Sequence, residues 1–262
     1  MKSVKVFETG NEFGNMNTMA KFYPEGLSND EIRRIFLERR MAAGRKYGFD
    51  GHKMFMADQL DKNGSYFEIT DDYVWEHPNG WSDIREDILV ITDKVPGVVI
   101  GHSVADCPVV MMEDPINGVA AVAHCSAELI DRKLPIMVAD ALVDLYGSKD
   151  EDILTYVSAC AGDSWTYDKF PSWATDEVLW QDAIYDDNGI FRIDMRKVLK
   201  KQFVERNINM ENVIFNMDDT ITNPNYYSNS AASVDGGNDI SKAGRHFAGL
   251  FYPKYLYKVK TK

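Results

Sequence analysis

The sequence predicts an α+β fold in which mixed β-sheets are covered by helices on their outer sides. Two observations support this prediction. Three segments carry the apolar spacing of amphipathic helices, and several short apolar segments with strand composition do not alternate strictly with those helices. No Pro-, Gly- or Ser-rich stretch is long enough to separate domains, so residues 1–262 are predicted to form a single domain.

The helices are predicted from the signals at their ends. Ser28 and Glu31 form a capping box at the start of the first helix, and Gly48 is a C-terminal stop. Pro135 suits the first turn of the second helix, and Asp194 caps the third. The predicted ranges are residues 28–47, 134–146 and 194–206.

Strands are predicted where short apolar runs lie between turn residues. They cover residues 54–56, 66–69, 88–92, 98–100, 109–112, 119–124, 155–159, 213–216 and 247–252. Three further segments are predicted to lack regular structure. Residues 161–190 are rich in Asp, Trp and Tyr and predict a long surface excursion, residues 223–244 predict a loop, and residues 254–262, with four lysines, predict a flexible basic tail.

The net charge limits the classes of partner. The chain carries a formal charge of −12, so nucleic acid and membrane surfaces are not expected partners, although a local basic pocket could hold one small anion. No apolar run reaches the roughly 18 residues that cross a bilayer, and no apolar leader begins the sequence. Three cysteines without framework spacing predict free thiols in a reducing cytoplasm. The expected partner is a small molecule, bound by a monomer or a weak homodimer.

The centre of the sequence predicts a β-hairpin with a defined register. A turn after Asp114 places Asp114 opposite Val119 and Val109 opposite His124. Cys107 and His124 then project from the same face as diagonal neighbours, with about 7–8 Å between their α-carbons. A slip of one residue would place them on opposite faces.

Residues that could bind a metal or act in catalysis cluster around this hairpin. His102, Asp106, Cys107, His124 and Cys125 lie within a short stretch, and sulfur with imidazole, completed by a carboxylate, is a reasonable set of zinc ligands. Alternatively, His124 could raise the thiolate fraction of Cys107 for nucleophilic catalysis. The structural alternative is that Cys107 is a small core residue and that His124 is a hydrogen-bonded strand end.

The hairpin resembles the core of the YfiH-like family, also called the laccase-domain or multicopper polyphenol oxidase family. Residues 103–110, SVADCPVV, are similar to the family's TADC-x-P segment, and residues 118–124, GVAAVAH, are similar to its strand ending in AHAGW. Residues 226–228 and 244–249 resemble its FFSYRR…TGR…AG ending. The matches fall in the family's order between residues 30 and 252.

This resemblance implies a single domain built as an α/β/β/α layered sandwich. It also implies a small site of one cysteine and two histidines that binds zinc, in which Cys107 and His124 match two of the ligands. The activity implied is phosphorolysis of purine nucleosides, with adenosine deamination and methylthioadenosine cleavage in some members. Copper-dependent phenol oxidation is not expected, because copper centres need several histidine ligands and the five histidines here are spread along the chain.

The sequence departs from the family pattern at the third ligand. Asp61 stands where the family's first histidine is expected, and a carboxylate can also bind zinc. Asp61 or Asp106 is therefore predicted as a base or ligand, and His102 or Cys125 as a substitute ligand.

Further departures affect anion binding. Asn229 and Ser230 replace the paired arginines of the family's ending, which removes a natural phosphate clamp. The run after His124 also lacks the family's Gly, Trp and Arg. The predicted substrate contacts are Arg245, Tyr227 and Ser126.

The predicted function is a zinc-dependent enzyme that acts on purine nucleosides or related small molecules by phosphorolysis, hydrolysis or deamination. Cys107, His124, Asp61 and Asp106 are its candidate catalytic residues. One alternative is a thiol hydrolase that uses Cys107 and His124. The other is a non-catalytic descendant that binds a nucleotide-like ligand or a protein, which the altered histidine and arginines favour and the retained ADC and AH elements oppose.

Overall fold

A computed structural model of the protein describes residues 3–57, 61–80, 84–235 and 243–254. Within them, the strands form two larger sheets and one small sheet. The strands are β1 (Lys5–Glu8), β2 (Met54–Phe55), β3 (Tyr66–Glu68), β4 (Ile88–Thr92), β5 (Val99–Val104), β6 (Val109–Asp114), β7 (Val119–His124), β8 (Leu154–Val157), β9 (Trp165–Tyr167), β10 (Ile184–Asp187), β11 (Ile190–Ile193), β12 (Val213–Phe215) and β13 (His246–Phe251). The α-helices are α1 (Asn29–Tyr47), α2 (Asp71–Glu76), α3 (Ala127–Asp131), α4 (Leu134–Tyr146), α5 (Glu177–Trp180), α6 (Met195–Glu205) and α7 (Asn229–Asp235).

Both larger sheets are mixed, as the sequence predicts. The first has the order β1-β13-β5-β2, with β5 and β2 parallel and the other pairs antiparallel. The second has the order β12-β8-β6-β7-β4-β3, with parallel pairs at its two edges and antiparallel pairs between them. The small sheet, β10-β11-β9, is antiparallel.

Three apolar clusters show how the layers stack. Met111 of the second sheet and Ile100 of the first belong to the cluster between the sheets. Phe36 of α1 packs with Val99 on the outer side of the first sheet, and Val138 of α4 belongs to the cluster on the outer side of the second. The order helix, sheet, sheet, helix confirms the α/β/β/α sandwich.

The three predicted helices form between their predicted end signals. Ser28 Oγ accepts a hydrogen bond from the Glu31 backbone N–H at 3.3 Å, and the Glu31 carboxylate accepts one from the Ser28 N–H at 2.8 Å. Such caps are worth about 1 kcal/mol each. Gly48 ends α1 in the left-handed conformation, with φ of 90°. No helix of the described residues is both long and apolar enough to cross a bilayer.

The hairpin register is confirmed residue by residue. Asp114 pairs with Val119, and Val109 pairs with His124, across β6 and β7. Both strands are almost entirely buried because they lie at the centre of the second sheet, with the first sheet on one face and helices on the other. This position explains why they appear in the sequence as continuous apolar runs.

Residues 161–190 differ from the predicted surface excursion. They contain β9, α5, β10 and the start of β11, and Trp180 is buried, stacked edge-on against Trp173 at 4.8 Å. The Trp180 indole N–H donates to Asp131 at 2.8 Å, which ties this segment to α3. The predicted loop 223–244 contains α7, and residues 255–262 of the predicted tail lie outside the described residues.

Candidate active site

A cleft brings together side chains from both larger sheets. His124 is the last residue of β7 in the second sheet, His102 lies in β5 of the first sheet, and Arg245 directly precedes β13. The ring centroids of His102 and His124 are 6.0 Å apart. The cleft has a volume of 330 Å³ and is lined by all three residues, which are far apart in sequence.

Among the described residues that line the cleft, the charged ones are all basic, namely Lys21, Arg40 and Arg245. Arg40 is buried on α1 and donates to the carbonyl oxygens of Met54 at 2.8 Å and His52 at 3.2 Å. Burial lowers the pKa of Arg40 to about 10, against the opposing effect of Asp50, so the guanidinium remains charged at neutral pH. An acidic chain therefore contains a local basic pocket.

The two histidines of the cleft are neutral at pH 7. Burial, with a smaller contribution from the nearby Arg245, lowers the pKa of His124 to about 4. Burial lowers the pKa of His102 to about 3, with a contribution from His124. His102 Nε2 is buried and has no hydrogen-bond partner among the described residues. Neutral imidazoles of this kind offer one N–H donor and one acceptor nitrogen to a ligand.

Arg245 is held rigidly at the wall of the cleft. Its Nη1 donates to the carbonyl oxygens of Ala243 at 2.6 Å and Gly244 at 3.0 Å, and its guanidinium lies 4.1 Å from the ring centroid of Phe22. Burial lowers its pKa, while Cys107 and Asp106 oppose that effect. The rest of its guanidinium is available to a ligand, because Nε and Nη2 make no hydrogen bond to a described residue.

Cys107 is partly buried in the turn between β5 and β6, behind this wall. Burial raises the pKa of its thiol to about 12, with Asp106 acting in the same direction and Arg245 opposing it. The thiol is therefore protonated at neutral pH. Cys107 does not line the cleft, although it interacts electrostatically with Arg245, which does.

Asp106 is a buried structural anchor. Its φ is 78°, a left-handed conformation that Asp tolerates better than most residues. Its carboxylate accepts hydrogen bonds from Thr220 Oγ1 at 2.9 Å and from the backbone N–H and Oγ of Ser230 at 2.8 and 3.0 Å. Its carbonyl oxygen accepts one from the Ala161 N–H at 2.7 Å. The side-chain contacts engage both oxygens of the carboxylate that the sequence predicts as a base or a metal ligand.

Asp61 lies in a different environment from the histidines. It is exposed, and its carboxylate accepts hydrogen bonds from the Asn63 N–H at 3.1 Å and Ser65 Oγ at 2.7 Å. Its neighbour is Asp87, whose pKa is raised by burial and by Asp61. Residues 58–60, which precede Asp61 in the segment compared with the family's histidine turn, lie outside the described residues.

Two predicted substrate contacts have local structural roles. Ser126 caps α3, where its Oγ accepts a hydrogen bond from the Leu129 N–H at 3.3 Å. The Tyr227 ring packs against Gly244, where a Cβ would lie 2.4 Å from Tyr227 Cε1. Tyr227 therefore supports the segment that leads to Arg245, and Arg245 is the predicted substrate contact that lines the cleft.

The donors of the described residues do not complete a zinc site. No three His, Cys, Asp or Glu side chains in the described part of the chain are grouped so as to hold a metal ion. The predicted ligands Cys107, His124, His102 and Asp61 thus do not form one group, although His102 and His124 approach each other. The chemistry proposed below depends on no metal.

The chain belongs to the family described as multi-copper polyphenol oxidoreductase laccase, whose model matches residues 26–249. Solved structures share the fold. Bacillus licheniformis hypothetical protein YfiH has a TM-score of 0.73 and 17% identity, over 95% of this chain and 92% of that chain. Geobacillus stearothermophilus YlmD has a TM-score of 0.71 and 13% identity, over 97% and 92%. A search of curated proteins finds no match.

Sequence analysis missed two basic residues of the cleft, Lys21 and Arg40. Arg40 carries a usable signal, because it falls on the apolar stripe of α1 four residues after Phe36 and is buried there. A charged residue on the buried face of a helix usually serves a specific partner. Lys21 lies in the short 3-10 helix Ala20–Phe22 and carries no comparable signal.

Proposed function

We propose that this protein cleaves purine nucleosides with inorganic phosphate in the cleft of His102, His124 and Arg245. The observation that carries the proposal is the meeting of two neutral histidines with basic side chains in one cleft. The volume of 330 Å³ lies within the range of small-molecule sites. Membership of a family associated with purine nucleoside phosphorolysis supports the same reaction.

Arg245 and Lys21 are the proposed phosphate contacts. Arg245 is fixed by two backbone carbonyls, so its remaining N–H groups are oriented before the anion arrives. This preorganisation would compensate for the arginines that Asn229 and Ser230 replace. The buried charge of Arg40 adds to the positive potential of the cleft.

The apolar wall suits the base and the sugar. Phe22 and Phe36 line the cleft together with Met56, and a purine ring gains both apolar burial and aromatic contact from such a surface. The hydroxyl of Thr18 and the amide of Asn17 are polar groups of the same wall. They supply hydrogen-bonding groups for the sugar hydroxyls.

The proposed reaction balances without a further reactant. An oxygen of hydrogen phosphate bonds to the anomeric carbon of the sugar while the carbon–nitrogen bond to the base breaks. The electron pair of that bond goes to the purine, and the hydroxyl proton of the phosphate ends on a purine nitrogen. His124, neutral at pH 7, would accept that proton and pass it to the base.

The thiol hydrolase is the weaker alternative, because a thiol with a pKa of about 12 supplies little thiolate at neutral pH. Hydrolysis or deamination of nucleosides could take place in the same cleft, and each would be distinguished from phosphorolysis by its products. A non-catalytic nucleotide-binding protein is favoured by one observation, the replacement of the family's paired arginines by Asn229 and Ser230.

The test incubates the purified protein with adenosine, inosine and guanosine, with and without phosphate, and measures the free base. Base release that requires phosphate is expected, and His124→Ala should lower it at least tenfold. Release without phosphate would indicate hydrolysis, and inosine formed from adenosine would indicate deamination. Nucleoside binding without any turnover would contradict catalysis and support the binding protein.

A further inference from the structure

A second pocket lies between the small sheet and α7. It has a volume of 490 Å³ and is separate from the cleft, since the two share no lining residue. One wall is the complete strand β9 with the preceding Ser164, and the opposite wall includes Asn229, Ser230 and Ser233 of α7. None of the proposed catalytic or phosphate-binding groups lies in it.

The first wall of the pocket is a fixed aromatic surface. Trp165 is stacked on Trp173 with ring centroids 5.6 Å apart and an interplanar angle of 10°. Tyr167 meets Trp165 edge-on at 5.3 Å. These contacts hold the two rings in place, and both remain partly exposed at the pocket. A rigid aromatic surface binds a ligand with little loss of side-chain freedom.

The remaining walls are polar but uncharged. The described lining residues include no Asp, Glu, Lys, Arg or His, and most of the non-aromatic ones carry a hydroxyl or an amide. The Thr166 hydroxyl and the Asn229 amide make no hydrogen bond to a described residue, so they are available as donors and acceptors. Because its described lining residues carry no charged side chain, the pocket suits a neutral ligand.

We propose that this pocket binds a neutral, polyhydroxylated sugar ring. A pyranose or furanose presents C–H groups on one face, which pack against Trp165 and Tyr167, and hydroxyls around its edge, which pair with the opposite wall. The sugar could be free or could be the ribose of a nucleoside. The site is distinct from the proposed phosphorolysis cleft and does not depend on that activity.

The pocket also contacts the turn that carries Cys107. Ser230 lines it and donates two hydrogen bonds to Asp106, the residue before Cys107. A ligand that contacts Ser230 therefore lies one side chain away from the turn that carries Cys107.

The test titrates D-ribose, adenosine and adenine into the protein by calorimetry, with tryptophan fluorescence as a second readout. Ala231→Leu should fill the pocket, because Ala231 lines it, whereas Ala232→Leu is the matched control on the same helix, since Ala232 does not. Saturable sugar binding that weakens at least tenfold in Ala231→Leu and is unchanged in Ala232→Leu is expected. Thermal unfolding checks that both variants fold. Thr166→Val with Ser233→Ala repeats the test by removing hydroxyls without adding bulk.

The ligands distinguish the source of the sugar. If ribose binds and its binding weakens in Ala231→Leu but not in Ala232→Leu, the ligand is a free sugar. If adenosine shows this behaviour and ribose does not bind, the ligand is a nucleoside. Binding of adenine with the same pattern would overturn the proposal, because the base carries no hydroxylated ring. Failure of ribose and adenosine to show binding sensitive to Ala231→Leu would also overturn it, whether or not the protein has phosphorolytic activity.

Discussion

Ser230 donates hydrogen bonds from its backbone N–H and its hydroxyl to one carboxylate oxygen of Asp106, at 2.8 and 3.0 Å. The two residues are 124 positions apart in the sequence. This contact joins α7 to the turn that presents Cys107, and Thr220 adds a third hydrogen bond to the other oxygen. Asp106 is therefore a positioning residue in this structure.

Asp106→Ala should destabilise the protein by about 2 kcal/mol or more, because it leaves the buried partners of a charged acceptor unsatisfied. Chemical unfolding measures the change. Asp106→Asn is the matched control, since Asn keeps one acceptor oxygen and tolerates the left-handed backbone. Equal stability of Asp106→Ala and the wild type would contradict the anchoring role.

Arg245→Ala should raise the pKa of His124, because the guanidinium lowers it in the wild type. Titration of the His124 ring followed by NMR measures this shift. The same variant should raise the KM for phosphate more than the KM for the nucleoside. Arg245→Lys keeps the positive charge but loses the planar set of guanidinium N–H donors. It should therefore retain the low His124 pKa and recover phosphate binding only in part. An unchanged His124 pKa in Arg245→Ala would show that the guanidinium does not act on it.

The protein should lose stability as the pH falls below about 6.5, the usual histidine pKa. The folded-state pKa values of His124 and His102, about 4 and 3, lie below the unfolded value. The unfolded chain therefore binds protons first, and stability decreases as pH falls from 6.5 towards those values. Unfolding by urea at several pH values tests this. His124→Gln should show a shallower decrease, and an identical pH profile would contradict the assignment.

Metal content tests the zinc ligands that the family resemblance implies. The family resemblance requires stoichiometric zinc in protein purified without added metal and its loss in Cys107→Ala, whereas the described His, Cys, Asp and Glu side chains form no group that could hold the ion. Asp61→Ala should leave the content unchanged, because the Asp61 carboxylate is hydrogen bonded to Asn63 and Ser65. Loss of zinc in Asp61→Ala would instead make Asp61 a ligand, and absence of metal from the wild type would remove the zinc site.

The sequence predicts those features that local signals determine. Capping residues define α1 and α6, and the turn after Asp114 defines the register that brings Val109 opposite His124. The family resemblance supplies the layer order, which periodicity alone does not determine. Capping and turn signals act over short stretches of sequence. The family resemblance depends on the order of the elements along the chain.

Other features depend on contacts between distant segments and leave no local signal. The strands of the small sheet have only three or four residues, too few to show an alternating pattern. The hydrogen bonds between Ser230 and Asp106 could not be predicted, because the two residues lie 124 positions apart in the sequence. Asp61 corresponds to the family's first histidine only by its order in the chain, and the fold places its carboxylate beside Asp87.

Phosphorus NMR of the protein with inosine and inorganic phosphate tests the central claim most directly. We expect a new sugar-phosphate resonance that grows as inorganic phosphate falls, in equal amount to the released hypoxanthine, and much more slowly with His124→Ala. Hypoxanthine release without consumption of phosphate, or no release at all from folded protein, would contradict it.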